Sequence, residues 1–182
     1  MCGICGIYSL EKGGNPDKAV VRGMASALAH RGPDAEGVAE FPGCILGHRR
    51  LAVIDLAGGT QPFSSTNGRF AISYNGEIYN HREIRTILAK LGHSFRTSCD
   101  TETVLAAYAE WGADCLARFN GMFAFAVYDA ERHELFLARD RLGVKPLFYS
   151  ACGGDFAFAS ELHALLLHPR FNKSLDPVSI NH

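Results

Sequence analysis

The chain has 182 residues, 47% hydrophobic and 20% charged, with a formal net charge of −1. That length suits one domain with a sizeable buried core, and the balanced charge gives no electrostatic reason to expect nucleic acid or an acidic membrane surface as partner. No apolar run would cross a bilayer and no apolar segment precedes Cys2 as a secretory signal would, so a cytoplasmic protein is expected.

The first element is a buried strand over residues 3–10. From Asp17 to Ala29, Val20, Val21, Met24, Ala27 and Leu28 recur at helical spacing until "HRGPD" breaks the run. Strand-like stretches follow at 36–41, 44–54 and 70–74. "NHREIRTILAKLG" predicts a helix with Asn80 and Glu83 as a capping box and Gly92 as its stop. Asp100, at an N-cap position, precedes a second helix with Val104, Leu105, Tyr108 and Trp111 on one side. "GMFAFAVYD" and "ELFLARD" predict a hairpin around "AERHE", and "PLFYS" with "DFAFAS" a second. Helices grouped between blocks of strands point to an α+β layered domain over a doubly wound parallel sheet. Periodicity is lost in "NKSLDPVSINH", which reads as a tail leading elsewhere.

The six cysteines are widely and irregularly spaced after Cys5, as expected for free thiols in a reducing compartment. Cys2 and Cys5 form a CxxC, but on a strand residues three apart face opposite ways, which favours a core role for Cys5 over a shared metal. Cys2 differs. If Met1 is removed, Cys2 carries a thiol and a free α-amine, whose ordinary pKa of about 7.7–8.0 lets it act as a base near neutrality. Taken alone, Cys2 would equally be an inert residue in a frayed end.

Other segments supply what such a nucleophile needs. In "YNGEIYN", Asn75 and Gly76 follow an apolar strand, either as a strand-ending turn or as an amide and a backbone N–H forming an oxyanion hole. "LGHRRLAVIDL" offers an arginine for bidentate capture of a carboxylate. Asp100 in "SCDTE" either caps its helix or pairs with a substrate ammonium.

The ordered set "MCGICGI", "HRGPD", "GHRRLAVIDL", "GGTQPF", "YNGEIYNH", "GMFAFAVYD", "RDRLGVKPLFY" and "ASE" resembles the glutaminase domain of glutamine-hydrolysing asparagine synthetases, a class II glutamine amidotransferase domain. The resemblance implies an α+β, four-layer αββα sandwich of the N-terminal nucleophile hydrolase fold and maturation by loss of Met1. It implies catalytic roles for Cys2 as nucleophile and for Asn75 and Gly76 as oxyanion donors. Arg50, the arginine directly before "LAVID", would bind the glutamine carboxylate, with Val53 lining the site and Glu77 and Asp100 at the ammonium end. Arg31 and Asp34 would be scaffold. By the same resemblance L-glutamine is the substrate and the glutaminase half-reaction needs no metal or cofactor. ATP and Mg belong only to a C-terminal synthetase domain, whose "SGGxDS"-type loop has no match in this chain. Residues 1–170 would then be the glutaminase domain and 171–182 the start of a linker. The face meeting the second domain should be apolar, and a homodimer stays open.

Three other readings share parts of this pattern. An amidotransferase of the same class could serve a sugar phosphate or phosphoribosyl acceptor. An N-terminal nucleophile acylase or peptidase would not need Arg50 with Asp100. A non-catalytic binding module would have no use for Cys2, Asn75 and Gly76.

Overall fold

The computed structural model describes residues 1–52 and 59–174. The predicted elements form, with two instructive exceptions. The first strand is β1 (Gly3–Ser9), followed by helix α1 (Lys18–Ala27), whose N-cap Asp17 accepts from the Ala19 N–H. Strands β2 (Ala35–Phe41) and β3 (Cys44–Arg50) form the next hairpin. The part of the 44–54 prediction beyond Ala52 lies outside the described residues. A two-residue strand β4 (Phe63–Ser64) precedes β5 (Phe70–Ile78), and two helices follow, α2 (His81–Lys90) and α3 (Asp100–Trp111). The two predicted hairpins are β6 (Gly121–Asp129) with β7 (Glu134–Arg139), and β8 (Phe148–Cys152) with β9 (Asp155–Ala159). A short helix α4 (Leu162–Leu165) comes last.

The strands form two antiparallel sheets, in the orders β2-β3-β1-β9-β8 and β4-β5-β6-β7. Strand alternation sorts their side chains into layers. Cys5 and Ile7 of β1 pack with Val21, Met24 and Leu28 of the α1 segment, covering the outer face of the first sheet. Ile72 and Tyr74 of β5, with Phe123, Phe125 and Val127 of β6, pack under Ile84, Leu88, Val104 and Leu105 of α2 and α3. Between the sheets lie Ile4, Leu46 and Phe158 from one side and Ala71, Ala124, Ala126 and Tyr128 from the other. The alanines let the sheets approach where large side chains oppose them. The result is the four-layer αββα sandwich.

The exceptions show tertiary contacts overriding local signals. Asn80 makes no side-chain cap to α2; its Oδ1 accepts from Asn120 N–H and its Nδ2 donates to the Arg118 carbonyl. The predicted capping box is therefore absent, although Gly92, at φ +98°, does end the helix in a left-handed turn. Asp100 is the first residue of α3 and does not cap it, because its carboxylate is used elsewhere.

Among the described residues no helix is long and apolar enough to cross a membrane. Exposed large apolar side chains include Leu142, Val144, Phe148 and Tyr149, all within residues 142–149.

Candidate active site

Cys2 precedes β1 with the parity of Ile4, and Arg50 ends β3 with the parity of Leu46, so both face the inter-sheet layer at its open end. Asn75 has the parity of Ala71 and faces them from β5. A cavity of about 230 Å³ opens there, below the roughly 300–1,000 Å³ of sites for drug-sized ligands, and Cys2, Arg50, Asn75, Gly76, Glu77 and Asp100 all line it. Val53 lies outside the described residues.

Cys2 is partly exposed. The N–H of Leu51 points at its sulfur at 3.4 Å. Its carbonyl accepts from Arg31 Nε at 3.0 Å, and Arg31, 9% exposed, also donates from Nη1 to Glu161 at 2.7 Å. The N–H of Asp34 bonds the Arg50 carbonyl, and its Oδ2 accepts from Ala52 N–H at 2.7 Å. Arg31 and Asp34 thus fasten the Cys2 segment and the chain leaving β3. Cys5, by contrast, is fully buried in the helix-facing core, and burial pushes its thiol far up, which leaves it inert.

The two arginines of "HRR" divide by strand parity. Arg49 points away, donating to Glu36 at 2.8 Å and to the Gly32 carbonyl. Arg50 enters the cavity, where Gly59 makes room for it: a Cβ on Gly59 would lie 2.4 Å from the guanidinium.

Asn75 and Gly76 are interior to β5, paired with Ala124 and Phe123, and are not the turn that Asn-Gly usually signals. Gly76 is required there because a Cβ would meet the Met122 carbonyl at 2.5 Å. Asn75 is 2% exposed and its Nδ2 has no hydrogen-bond partner among the described residues. Such an orphaned buried donor ordinarily costs about 1–3 kcal/mol.

The edge of β5 beyond the short β4 is completed by side chains. Gln61 takes the place of a strand, accepting from Tyr74 N–H at 2.7 Å and donating to the Tyr74 carbonyl at 3.1 Å. Four residues on, Asp100 accepts from Ile78 N–H at 3.1 Å and from the Tyr74 hydroxyl at 2.7 Å. Antiparallel alternation turns the N–H of Gly76, midway between Tyr74 and Ile78, toward this same edge. Burial, and then the Asp100 charge, hold the Tyr74 phenol protonated as its donor.

Behind the site His48 lies between the sheets, 1% exposed, its Nε2 at 3.1 Å from the Tyr74 carbonyl. Burial drives its pKa down to about 4, with the Arg50 charge acting the same way and the carbonyl bond against it. The unfolded chain therefore binds more protons below about pH 6.5. Stability should hold above that pH and fall by roughly 3 kcal/mol as pH drops to about 4. Urea unfolding across that window checks this, with His48→Gln expected to flatten the slope.

Sequence reasoning assigned no role to Gln61, Tyr74, Thr101, Met122 or Lys145, which also line the cavity. Gln61 and Lys145 stand inside strings that carried the resemblance, "GGTQPF" and "RDRLGVKPLFY", and Tyr74 directly precedes Asn75. Lys145 is 7% exposed and its Nζ lies 3.6 Å from Met1 Sδ. Its loop folds around Asp140. Burial raises that carboxyl, but hydrogen bonds from the N–H groups of Lys145, Val144 and Phe123 outweigh burial and hold it below the usual range.

A family model described as a glutamine amidotransferase domain matches residues 1–182. The chain belongs to the glutamine amidotransferase domain family. Curated relatives include asparagine synthetase (glutamine-hydrolysing) 3 of Bacillus subtilis, 43% identical over 183 residues, covering 100% of this chain and 30% of the relative. A putative asparagine synthetase (glutamine-hydrolysing) 2 of Methanocaldococcus jannaschii is 38% identical, covering 95% of this chain and 36% of the relative. The chain thus spans about a third of the length of these relatives. Among solved structures, the glutamine phosphoribosylpyrophosphate amidotransferase of B. subtilis superposes with a TM-score of 0.75 at 23% identity, over 91% of this chain and 43% of that one. This glutamine amidotransferase domain thus shares its αββα sandwich with that amidotransferase.

Proposed function

We propose that this amidotransferase domain hydrolyses the side-chain amide of L-glutamine to glutamate and ammonia, with Cys2 as nucleophile once Met1 is removed. The observation that carries the reading is the orphaned Asn75 amide beside the edge N–H of Gly76, in the same cavity as the Cys2 sulfur. An unspent buried donor is costly for folding and useful where negative charge develops.

The freed α-amine of Cys2 takes the thiol proton and the sulfur attacks the γ-carbonyl. Asn75 Nδ2 and Gly76 N–H hold the oxyanion. Collapse passes the proton to the leaving nitrogen, expels ammonia and leaves a γ-glutamyl thioester. Water, deprotonated by the same amine, then releases glutamate. Arg50 pairs with the substrate α-carboxylate, Glu77 and Asp100 take the ammonium, and Val53 is assigned to the same wall by resemblance. This half-reaction needs no cofactor.

The names of the relatives support ammonia delivery to asparagine synthesis in a longer protein, and the motif resemblance adds ATP and aspartate as the other reactants. Residues 1–170 are then the glutaminase domain and 171–182 the start of a linker, with Leu142, Val144, Phe148 and Tyr149 as the face that the synthetase part covers.

Ammonia release from glutamine by Met1-free protein tests the reading. Arg50→Ala should raise KM about 10- to 100-fold, the loss of a charge-assisted bond, with a smaller change in kcat. Equal turnover of a non-amino-acid amide by wild type and Arg50→Ala, with no glutaminase activity in either, would instead indicate an acylase.

A further inference from the structure

Outside the glutamine cavity, three side chains converge where the end of α1 meets the start of α4. Glu161 Oε2 lies 3.1 Å from His30 Nε2 and 3.2 Å from His163 Nδ1. The three donor atoms all fall within 4.8 Å of one another. Ligands at about 2.1 Å around a tetrahedral zinc ion are separated by roughly 3.4 Å, so the two measured separations are near those of one coordination shell.

Hydrogen bonding gives the cluster its chemistry. His163 Nε2 is 3.0 Å from the Ala27 carbonyl, which can only accept. The proton of a neutral His163 therefore resides on Nε2, and Nδ1 turns a lone pair toward the Glu161 carboxylate. At 3.2 Å that nitrogen and Oε2 are held together either by a proton on Nδ1 or by a metal ion bound to both. Arg31 already occupies Oε1, at 2.7 Å, which leaves Oε2 to ligate. Both supports expected around a metal are thus built: a carbonyl orienting one imidazole and a donor orienting the carboxylate.

We propose that His30, Glu161 and His163 bind a divalent transition-metal ion of the zinc class, with water completing the shell. Two imidazoles and one carboxylate suit such ions over calcium or magnesium, which prefer oxygen. The ion ties together two segments distant in sequence, and through Glu161 and Arg31 it braces the Cys2 carbonyl. It takes no part in glutamine chemistry.

Cobalt(II) and zinc(II) test this in the Cys2→Ala protein, which removes the exposed thiol as a competing ligand. Near neutral pH, cobalt should bind at one equivalent with the visible bands of a tetrahedral nitrogen–oxygen site and no thiolate charge-transfer band. Zinc should displace it and raise Tm by roughly 5–10 °C at a hundredfold excess over Kd. His163→Gln and, separately, His30→Gln in the same background should weaken binding at least about 100-fold. Both residues are largely exposed, so the fold should survive the changes. Lack of saturable binding, a thiolate spectrum, or unchanged affinity in both variants overturns the proposal. None of these readouts uses glutamine, so the outcome is independent of the glutaminase reading.

Discussion

Cys2→Ala, in protein freed of Met1, should release ammonia from glutamine at least about 10⁴-fold more slowly than the parent, with glutamine still bound. The size follows from the proposed covalent mechanism, in which the nucleophile is lost and the remaining oxyanion donors and binding contacts retain only a fraction of the acceleration. Protein in which Met1 is retained provides the sharper comparison. There the thiol is intact, but the amine that should accept its proton is a peptide nitrogen and cannot. General-base assistance typically contributes about 10²–10⁴-fold, so retained Met1 should cost that much. Met1 also lines the cavity and meets Lys145, so its retention fills space that the substrate needs. Removing it should therefore lower KM as well as raise kcat. Mass spectrometry of the N-terminus beside an ammonia assay reads both. Full turnover with Met1 attached would eliminate the α-amine as base, and full turnover by Cys2→Ala would eliminate the thioester.

The site residues are legible in the sequence through their motifs, Arg50 by its place directly before "LAVID", while the predicted strand 70–74 stops short of Asn75. In the observed β3 and β5, parity puts Arg50, and not Arg49, on the face shared with Cys2 and Asn75. It also buries Cys5 against α1. What alternation cannot give is the partner a side chain finds far along the chain. Asn80 has the local signature of a cap and is instead consumed by Arg118 and Asn120. Asp100 has the same signature, yet two donors on β5 claim its carboxylate. Gln61 looks like one loop residue among several, and only the early end of β4 shows why an amide is needed there: it supplies the donor and acceptor that a continuing strand would have offered. The bond between Arg31 and Glu161 spans 130 residues, beyond any local signal. In each case a buried polar group must be paired by whatever the fold brings near it, and that information is tertiary.

The same accounting yields the second large effect, Asn75→Ala. Elsewhere in the core, deleting a buried polar side chain removes a hydrogen bond and destabilises the fold. Asn75 Nδ2 has no such bond to lose among the described residues, so truncation relieves an unpaid desolvation cost and leaves only a small cavity. Stability should hold or rise slightly. Turnover should fall about 10²–10³-fold, mostly in kcat, because the lost donor acts on charge that appears only in the transition state. Gly76→Ala should behave in the opposite way. Its new Cβ would press on the Met122 carbonyl and the Phe123 backbone, forcing β5 away from β6, so Tm and activity should drop together. Thermal unfolding paired with steady-state kinetics on the two variants separates these signs. If Asn75→Ala lowers Tm as Gly76→Ala does and spares kcat, the amide is a structural brace and the oxyanion assignment fails.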